Sequence, residues 1–82
     1  MADRDLPAEV VRRALERLGC EARIVGDYLK VIRRTPEGPR GTAQHLHKGK
    51  RDVLRRGAVR TMYKHKLGFT EEEFYRAVSE VE

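Results

Sequence analysis

The spacing between hydrophobic positions changes several times along the chain, and each spacing predicts a different element of secondary structure. At the start, apolar residues recur every three to four positions over residues 6–18, which predicts an amphipathic helix. Asp5 is the expected cap of this helix, Pro7 fits its first turn, and Gly19 is a favourable stop. The apolar face of the helix comprises Val10, Val11, Ala14, Leu15 and Leu18.

The middle of the chain is rich in β-branched and aromatic residues and predicts three short strands. Cys20–Val25 and Tyr28–Arg34 are separated by the Gly-Asp pair at 26–27, which is typical of a two-residue hairpin turn. Residues 35–41 are dense in proline and glycine, so we expect a longer turn there rather than a strand. Thr42–His47 supplies the third strand, and the short connections require an antiparallel meander.

Helical spacing returns in the C-terminal third of the chain. Lys48–Asp52 forms a basic loop, and Arg55–Lys66 then predicts a second helix. Thr70 and Glu73 have the spacing of a capping box, which starts a third helix. The predicted fold is a single α+β domain over residues 1–82, in the order α-β-β-β-α-α. Its three-stranded antiparallel sheet is expected to be covered by helices on one face.

Length and composition restrict the possible functions. A chain of 82 residues is too short for a separate cofactor domain, and no apolar run approaches the ~18 residues that span a bilayer. The single cysteine, Cys20, has no partner for a disulfide within the chain or for a cysteine-based metal cluster. This free thiol, together with a charged start unlike a secretory signal, favours a reducing cytoplasm. We expect no cofactor and no membrane partner.

Charge is distributed unevenly around a net value of +5. Residues 48–66 contain eight basic groups against the single carboxylate of Asp52, whereas residues 71–82 contain five glutamates against Arg76. Because acids and bases are segregated, the basic segment predicts a binding site for a polyanion, in particular nucleic acid. A solvated helix face in a charge-rich protein is the alternative interpretation. The expected RNA-binding residues are Lys30, Arg33, Lys48, Lys50, Arg51, Arg55, Arg56, Arg60 and Lys64.

Three side chains of the predicted sheet carry candidate chemistry. Tyr28 directly follows the hairpin turn, where its phenol could stack on a base, donate to a phosphate or simply pack on the sheet. His45 and His47 share one face of the third strand, where they are either two metal ligands or polar residues of the solvent face. As metal ligands they are fewer than a zinc site needs, so we expect no metal.

The order of these features resembles the HicA family of toxins over roughly residues 8–76. The resemblance implies a fold like the double-stranded-RNA-binding domain, metal-independent cleavage of RNA and neutralisation by a HicB-like antitoxin. That family places its catalytic histidine two residues after the turn glycine, and Tyr28 occupies this position here. The features that carry the resemblance are Leu18-Gly19, Gly26-Asp27, His47, Gly57 and the GFTEEEF stretch of residues 68–74.

Three functions remain open at this point. The leading one is a HicA-like endoribonuclease with Tyr28, His47 and His45 as candidate catalytic residues. An ordinary phenol has a pKa of ~10 and is a poor base at neutral pH, so an imidazole one strand away is the expected substitute. The alternatives are a non-catalytic RNA-binding protein of the same fold and a DNA-binding regulator with residues 53–66 as its recognition helix. The β-rich stretch 20–47 argues against the DNA-binding architecture.

Overall fold

Three strands form the main sheet of the protein, and helices pack on one of its two faces. The computed structural model describes residues 3–82. The predicted α+β fold with a three-stranded antiparallel sheet is confirmed. In chain order, the elements are β1 (Leu6–Pro7), α1 (Ala8–Arg17), β2 (Glu21–Val25), β3 (Tyr28–Thr35), β4 (Gly38–His45), β5 (Val53–Leu54), α2 (Arg56–Arg60) and α3 (Glu71–Val81).

The two faces of the main sheet differ as strand alternation predicts. In β3, Leu29 and Val31 are buried under the helices, whereas Tyr28, Lys30 and Ile32 are exposed on the opposite side. We call this exposed side the outer face. The buried side chains of the sheet and of the helices join in one hydrophobic cluster on the other side.

The hairpin between β3 and β4 has longer strands and a shorter turn than expected. The prediction of a long turn over residues 35–41 is wrong, because β3 continues to Thr35 and β4 already begins at Gly38. Two residues connect the strands, and the Thr35 hydroxyl donates to the Gly38 carbonyl at 2.6 Å. Pro39 is tolerated because β4 lies at the edge of the sheet, where a strand can lack one backbone N–H.

The N-terminal segment is tied to α2 rather than forming the start of α1. The prediction of a helix from residue 6 onwards is wrong at that end, because Leu6 pairs with Leu54 in a short antiparallel ladder. Pro7 precedes α1 instead of lying in its first turn. Asp5 does not cap α1; its Oδ1 accepts a hydrogen bond from the backbone N–H of Arg56 at 2.9 Å. This carboxylate satisfies one of the free N–H groups at the start of α2.

The predicted second helix changes geometry half-way along its length. α2 is followed directly by a π-helical segment, Thr61–Lys66, instead of continuing as a regular α-helix. The N–H of Leu67 donates to the carbonyl of Met62, and this wider turn keeps both side chains in the core. Two arginines of the sheet bind carbonyls at the end of the segment. Arg33 donates to the Leu67 carbonyl at 2.7 Å, and Arg40 reaches a neighbouring carbonyl at 3.3 Å.

α3 begins at the capping box that the sequence predicts. Thr70 Oγ1 accepts from the N–H of Glu73 at 3.1 Å, and the Glu73 carboxylate accepts from the N–H of Thr70 at 3.0 Å. In the first turns of α3, Phe74 stacks on Tyr63 of the π-helical segment with ring centroids 4.4 Å apart. Tyr75 meets both rings edge-on, so three aromatic rings join α3 to the preceding helix.

Candidate nucleic-acid interface

Three rings on the outer face and in the adjoining loop contact one another in a row. Tyr28 and His45 are direct partners across β3 and β4, with ring centroids 5.2 Å apart. Because β4 ends at His45, the prediction of a strand to His47 is wrong, yet the His47 ring lies 4.5 Å from that of His45. The three candidate catalytic residues therefore lie together, and we call them the ring row. All three are exposed, and no side chain or backbone group of residues 3–82 hydrogen-bonds to the phenol or to either imidazole.

The loop that carries His47 is organised by Asp52. One carboxylate oxygen accepts from the N–H of His47 at 2.8 Å, and the other accepts from the N–H of Val53 at 2.9 Å. The backbone carbonyl of Asp52 accepts from the N–H of Ala8, the first residue of α1, at 2.9 Å. At the other end of the loop, Leu46 is buried and its N–H donates to the β2–β3 turn at 2.6 Å. Both ends of the loop are held, which fixes the position of the last imidazole of the ring row.

A cleft of about 490 Å³ opens beside the two imidazoles of the ring row, which form part of its wall. Three cations also line it, from Lys48, Arg51 and Arg55. Its lining includes one carboxylate, that of Asp52, and both oxygens of this group are engaged by backbone N–H groups. Among residues 3–82, neither Lys48 nor Arg51 forms an ion pair, while Arg55 lies 3.5 Å from Asp5. The cleft therefore has an excess of positive charge beside two groups that can exchange protons.

The other cations predicted to bind RNA do not join this cleft. Lys30 is exposed on the outer face of the sheet. Arg33 lies on the helix side, where its guanidinium stacks over the Phe69 ring at 3.9 Å besides binding a helix-end carbonyl. Arg60 binds Asp3 at 2.9 Å, so its charge is already balanced. Three further predicted cations are exposed away from the cleft lining, namely Lys50, Arg56 and Lys64.

A second group of titratable side chains joins the N-terminal segment to the C-terminal helices. Asp3 Oδ1 accepts from the hydroxyls of Tyr63 at 2.6 Å and Tyr75 at 3.0 Å, and Oδ2 accepts from Arg60. Burial favours the neutral acid, but these hydrogen bonds outweigh it and hold the pKa of Asp3 below its usual value. Burial and the same carboxylate raise the pKa of Tyr75 to about 12 and also raise the pKa of Tyr63. We call these four residues the acid–tyrosine cluster, and their mutual pairing indicates a structural role.

Two residues of the candidate interface escaped the sequence analysis. In the sequence, Asp52 stands out only as the lone acid of the basic segment, and this isolation is the available signal for its role as the anchor of the loop. Arg23 lies outside the basic segment, but it is the direct cross-strand partner of Lys30 on the outer face. Its position follows from the register of β2 with β3, which the tight turn after Val25 sets.

No group of three or more His, Cys, Asp or Glu side chains within residues 3–82 is arranged to hold a metal ion. In the same part of the chain, no helix has the length and apolar character needed to cross a membrane. Comparisons with protein-family models, curated proteins and solved structures find no match to this chain. The geometry of the ring row and of the cleft is therefore the basis for inferring function.

Proposed function

We propose that this protein binds RNA in the cleft and cleaves it there as a HicA-like endoribonuclease toxin. The observation that carries the proposal is the contact of two exposed imidazoles, His45 and His47, at the wall of a cleft lined by three cations. Cations favour a phosphodiester backbone, and imidazoles exchange protons near neutral pH. The resemblance of the sequence to HicA toxins supports the same function.

The reaction that suits these groups is attack of the ribose 2′-hydroxyl on its own 3′-phosphate. One imidazole takes the 2′-hydroxyl proton while the O2′–P bond forms and the P–O5′ bond breaks. The other imidazole donates a proton to the departing 5′-oxygen, which leaves a 2′,3′-cyclic phosphate and a 5′-hydroxyl. We assign the base to His47 and the acid to His45, while Lys48 and Arg51 stabilise the negative charge that develops on the phosphate oxygens.

Tyr28 takes a different part in this scheme. Its ring packs edge-on against His45 at the end of the ring row and away from the cations of the cleft. A phenol there orients the neighbouring imidazole and offers a flat surface to a base. The two histidines, and not Tyr28, would then carry the proton transfers.

Cleavage of a 5′-labelled single-stranded RNA in EDTA tests the proposal. We expect products that end in a cyclic phosphate and no product from an all-2′-deoxy strand of the same sequence. Replacing both His45 and His47 by alanine should slow cleavage by about 10²- to 10⁴-fold, the usual contribution of general acid–base catalysis. The matched control is His65→Ala, which removes the third imidazole from an exposed site outside the cleft lining.

Two outcomes would separate the alternatives. RNA binding without cleavage, at any pH from about 5 to 8 where imidazoles titrate, would favour the non-catalytic RNA-binding protein. Cleavage that persists in the double histidine variant would show that the ring row is not the active site.

A partner and a compartment complete the proposal. We infer that a HicB-like antitoxin covers the cleft with acidic side chains, because the positive lining favours association with an acidic surface. Co-expression with a neighbouring open reading frame should yield a complex that dissociates at high salt, and absence of any such complex would remove the toxin–antitoxin assignment. A cytoplasmic location suits the free thiol of Cys20, because single cysteines stay reduced in a reducing compartment.

A further inference from the structure

The outer face of the sheet exposes large apolar side chains that no part of residues 3–82 covers. Val25 is 51 % exposed, Tyr28 is 45 % exposed and Ile32 is 42 % exposed. Val25 and Tyr28 are direct cross-strand partners, so they form one continuous apolar patch that runs on to His45. Contiguous exposed apolar side chains with polar side chains around them are typical of surfaces that bind a ligand.

Two cations lie side by side next to this patch. Arg23 and Lys30 are direct partners across β2 and β3, and both are exposed on the outer face. Like charges placed opposite each other destabilise a sheet, and no carboxylate of residues 3–82 forms an ion pair with either side chain. Further along β3, Arg34 shows the usual alternative, because it forms an ion pair with Glu21 of the neighbouring β2 at 2.9 Å. Because the Arg23–Lys30 pair has no carboxylate partner within residues 3–82, it favours an anionic ligand.

The third strand leaves room for a flat group beside these side chains. The residue opposite Lys30 on β4 is Ala43, and the residue opposite Ile32 is Gly41. Both positions are exposed, and since Ala43 carries only a methyl group and Gly41 has no side chain, no large side chain projects from β4 there. A shallow floor flanked by Tyr28 and by a pair of cations can accept a planar base together with its phosphate.

We propose that the outer face binds the unpaired bases of single-stranded RNA next to the cleavage site. The inference rests on the proposed function, because the RNA strand that enters the cleft would continue over the ring row onto the sheet. Tyr28 stacks on a base, Arg23 and Lys30 bind phosphates, and the apolar patch contacts the next base. Duplex RNA cannot use this surface, because its base faces are stacked on one another. The substrate class is therefore single-stranded RNA and not duplex RNA.

Binding measured by fluorescence anisotropy tests the inference. The probe is a short single-stranded RNA with 2′-O-methyl groups, which cannot be cleaved by 2′-hydroxyl attack, and it is compared with the duplex of the same sequence. We expect Arg23→Gln combined with Lys30→Gln to flatten the slope of log K against log salt by about 1.4, at roughly 0.7 per phosphate contact. The matched control, Arg13→Gln combined with Arg76→Gln, removes the same charge from exposed positions on α1 and α3.

The stacking role of Tyr28 is tested with the same probe. Tyr28→Leu should weaken binding about 5- to 100-fold, the range of one lost base–aromatic stack, and Tyr28→Phe should restore most of the affinity. Loss of stability is excluded by comparing the thermal unfolding of the two variants.

The outcomes distinguish this inference from the proposed function. If Arg51→Gln with Arg55→Gln weakens RNA binding but the Arg23 and Lys30 variants do not, the cleft function stands and the outer-face inference is wrong. Equal affinity for single strand and duplex would also overturn it. If the outer-face variants lose a co-purified protein instead of RNA, this face is a protein interface. If the wild-type protein binds neither RNA, both proposals fail.

Discussion

The protein has two groups of aromatic side chains that differ in how their polar atoms are used. In the acid–tyrosine cluster, Tyr63 and Tyr75 are buried, and both hydroxyls donate to the Asp3 carboxylate. In the ring row, Tyr28 packs against His45 in a similar edge-on contact, but its hydroxyl has no partner within residues 3–82. The rings meet in both groups, and only the first group uses its polar atoms internally.

Burial explains the difference. A polar atom enclosed without a partner costs free energy, so the buried tyrosines need the carboxylate that the N-terminal segment supplies. The exposed phenol and imidazoles of the ring row are solvated by water and remain available to a ligand. A ring contact therefore does not by itself indicate a structural role. Whether the hydroxyls and ring nitrogens have hydrogen-bond partners within the protein is the better guide to which group can bind a ligand.

Removal of one hydroxyl from each group tests this contrast with matched variants. Tyr63→Phe should lower the free energy of unfolding by about 1.5–3 kcal/mol, because a buried hydrogen bond to a charged group is lost. Tyr28→Phe should change it by less than about 0.5 kcal/mol, as exposed substitutions usually do. Urea unfolding followed by circular dichroism measures both. Equal losses in the two variants would mean that the ring row is also part of the stabilising structure.

The titration of Asp3 is expected to have a smaller effect on the free energy of unfolding. Because its pKa lies below the usual value of 3.8 in the folded protein, its stabilising contribution is complete above that value. The contribution is lost as the pH falls through the lowered pKa, since the unfolded chain then binds the proton more readily. Asp3→Asn should therefore flatten the decline of stability between about pH 5 and pH 2. An unchanged decline would show that other carboxyl groups, such as Glu9 and Glu73 with their lowered pKa values, dominate it.

Features that depend on neighbouring residues could be predicted from the sequence. The body of α1, the tight turn at 26–27 and the capping box of α3 each follow from residues a few positions apart. The role of Asp5 could not be predicted in this way, because its partner Arg56 is distant in the chain. Pro39 also misled the prediction, since a proline within a strand is acceptable only where that strand lies at a sheet edge.

The candidate site shows the same division between local and distant information. The sequence indicated Tyr28, His45 and His47 as separate candidates, but their contact depends on the register of β3 with β4. The two-residue connection between Thr35 and Gly38 sets that register and places Tyr28 opposite His45. The longer turn predicted from proline and glycine content left this pairing undetermined.

The contrast between the two groups of rings can be tested directly by a titration observed in ¹H–¹⁵N correlation spectra. The ¹⁵N-labelled protein is mixed with single-stranded 2′-O-methyl RNA, and amide shifts are mapped on the fold. We expect the largest shifts at Tyr28, His45 and His47, with the amides of Tyr63 and Tyr75 unchanged. Shifts centred on the acid–tyrosine cluster, or no shifts even at low salt, would contradict the assignment of the ring row and cleft as the RNA-binding face.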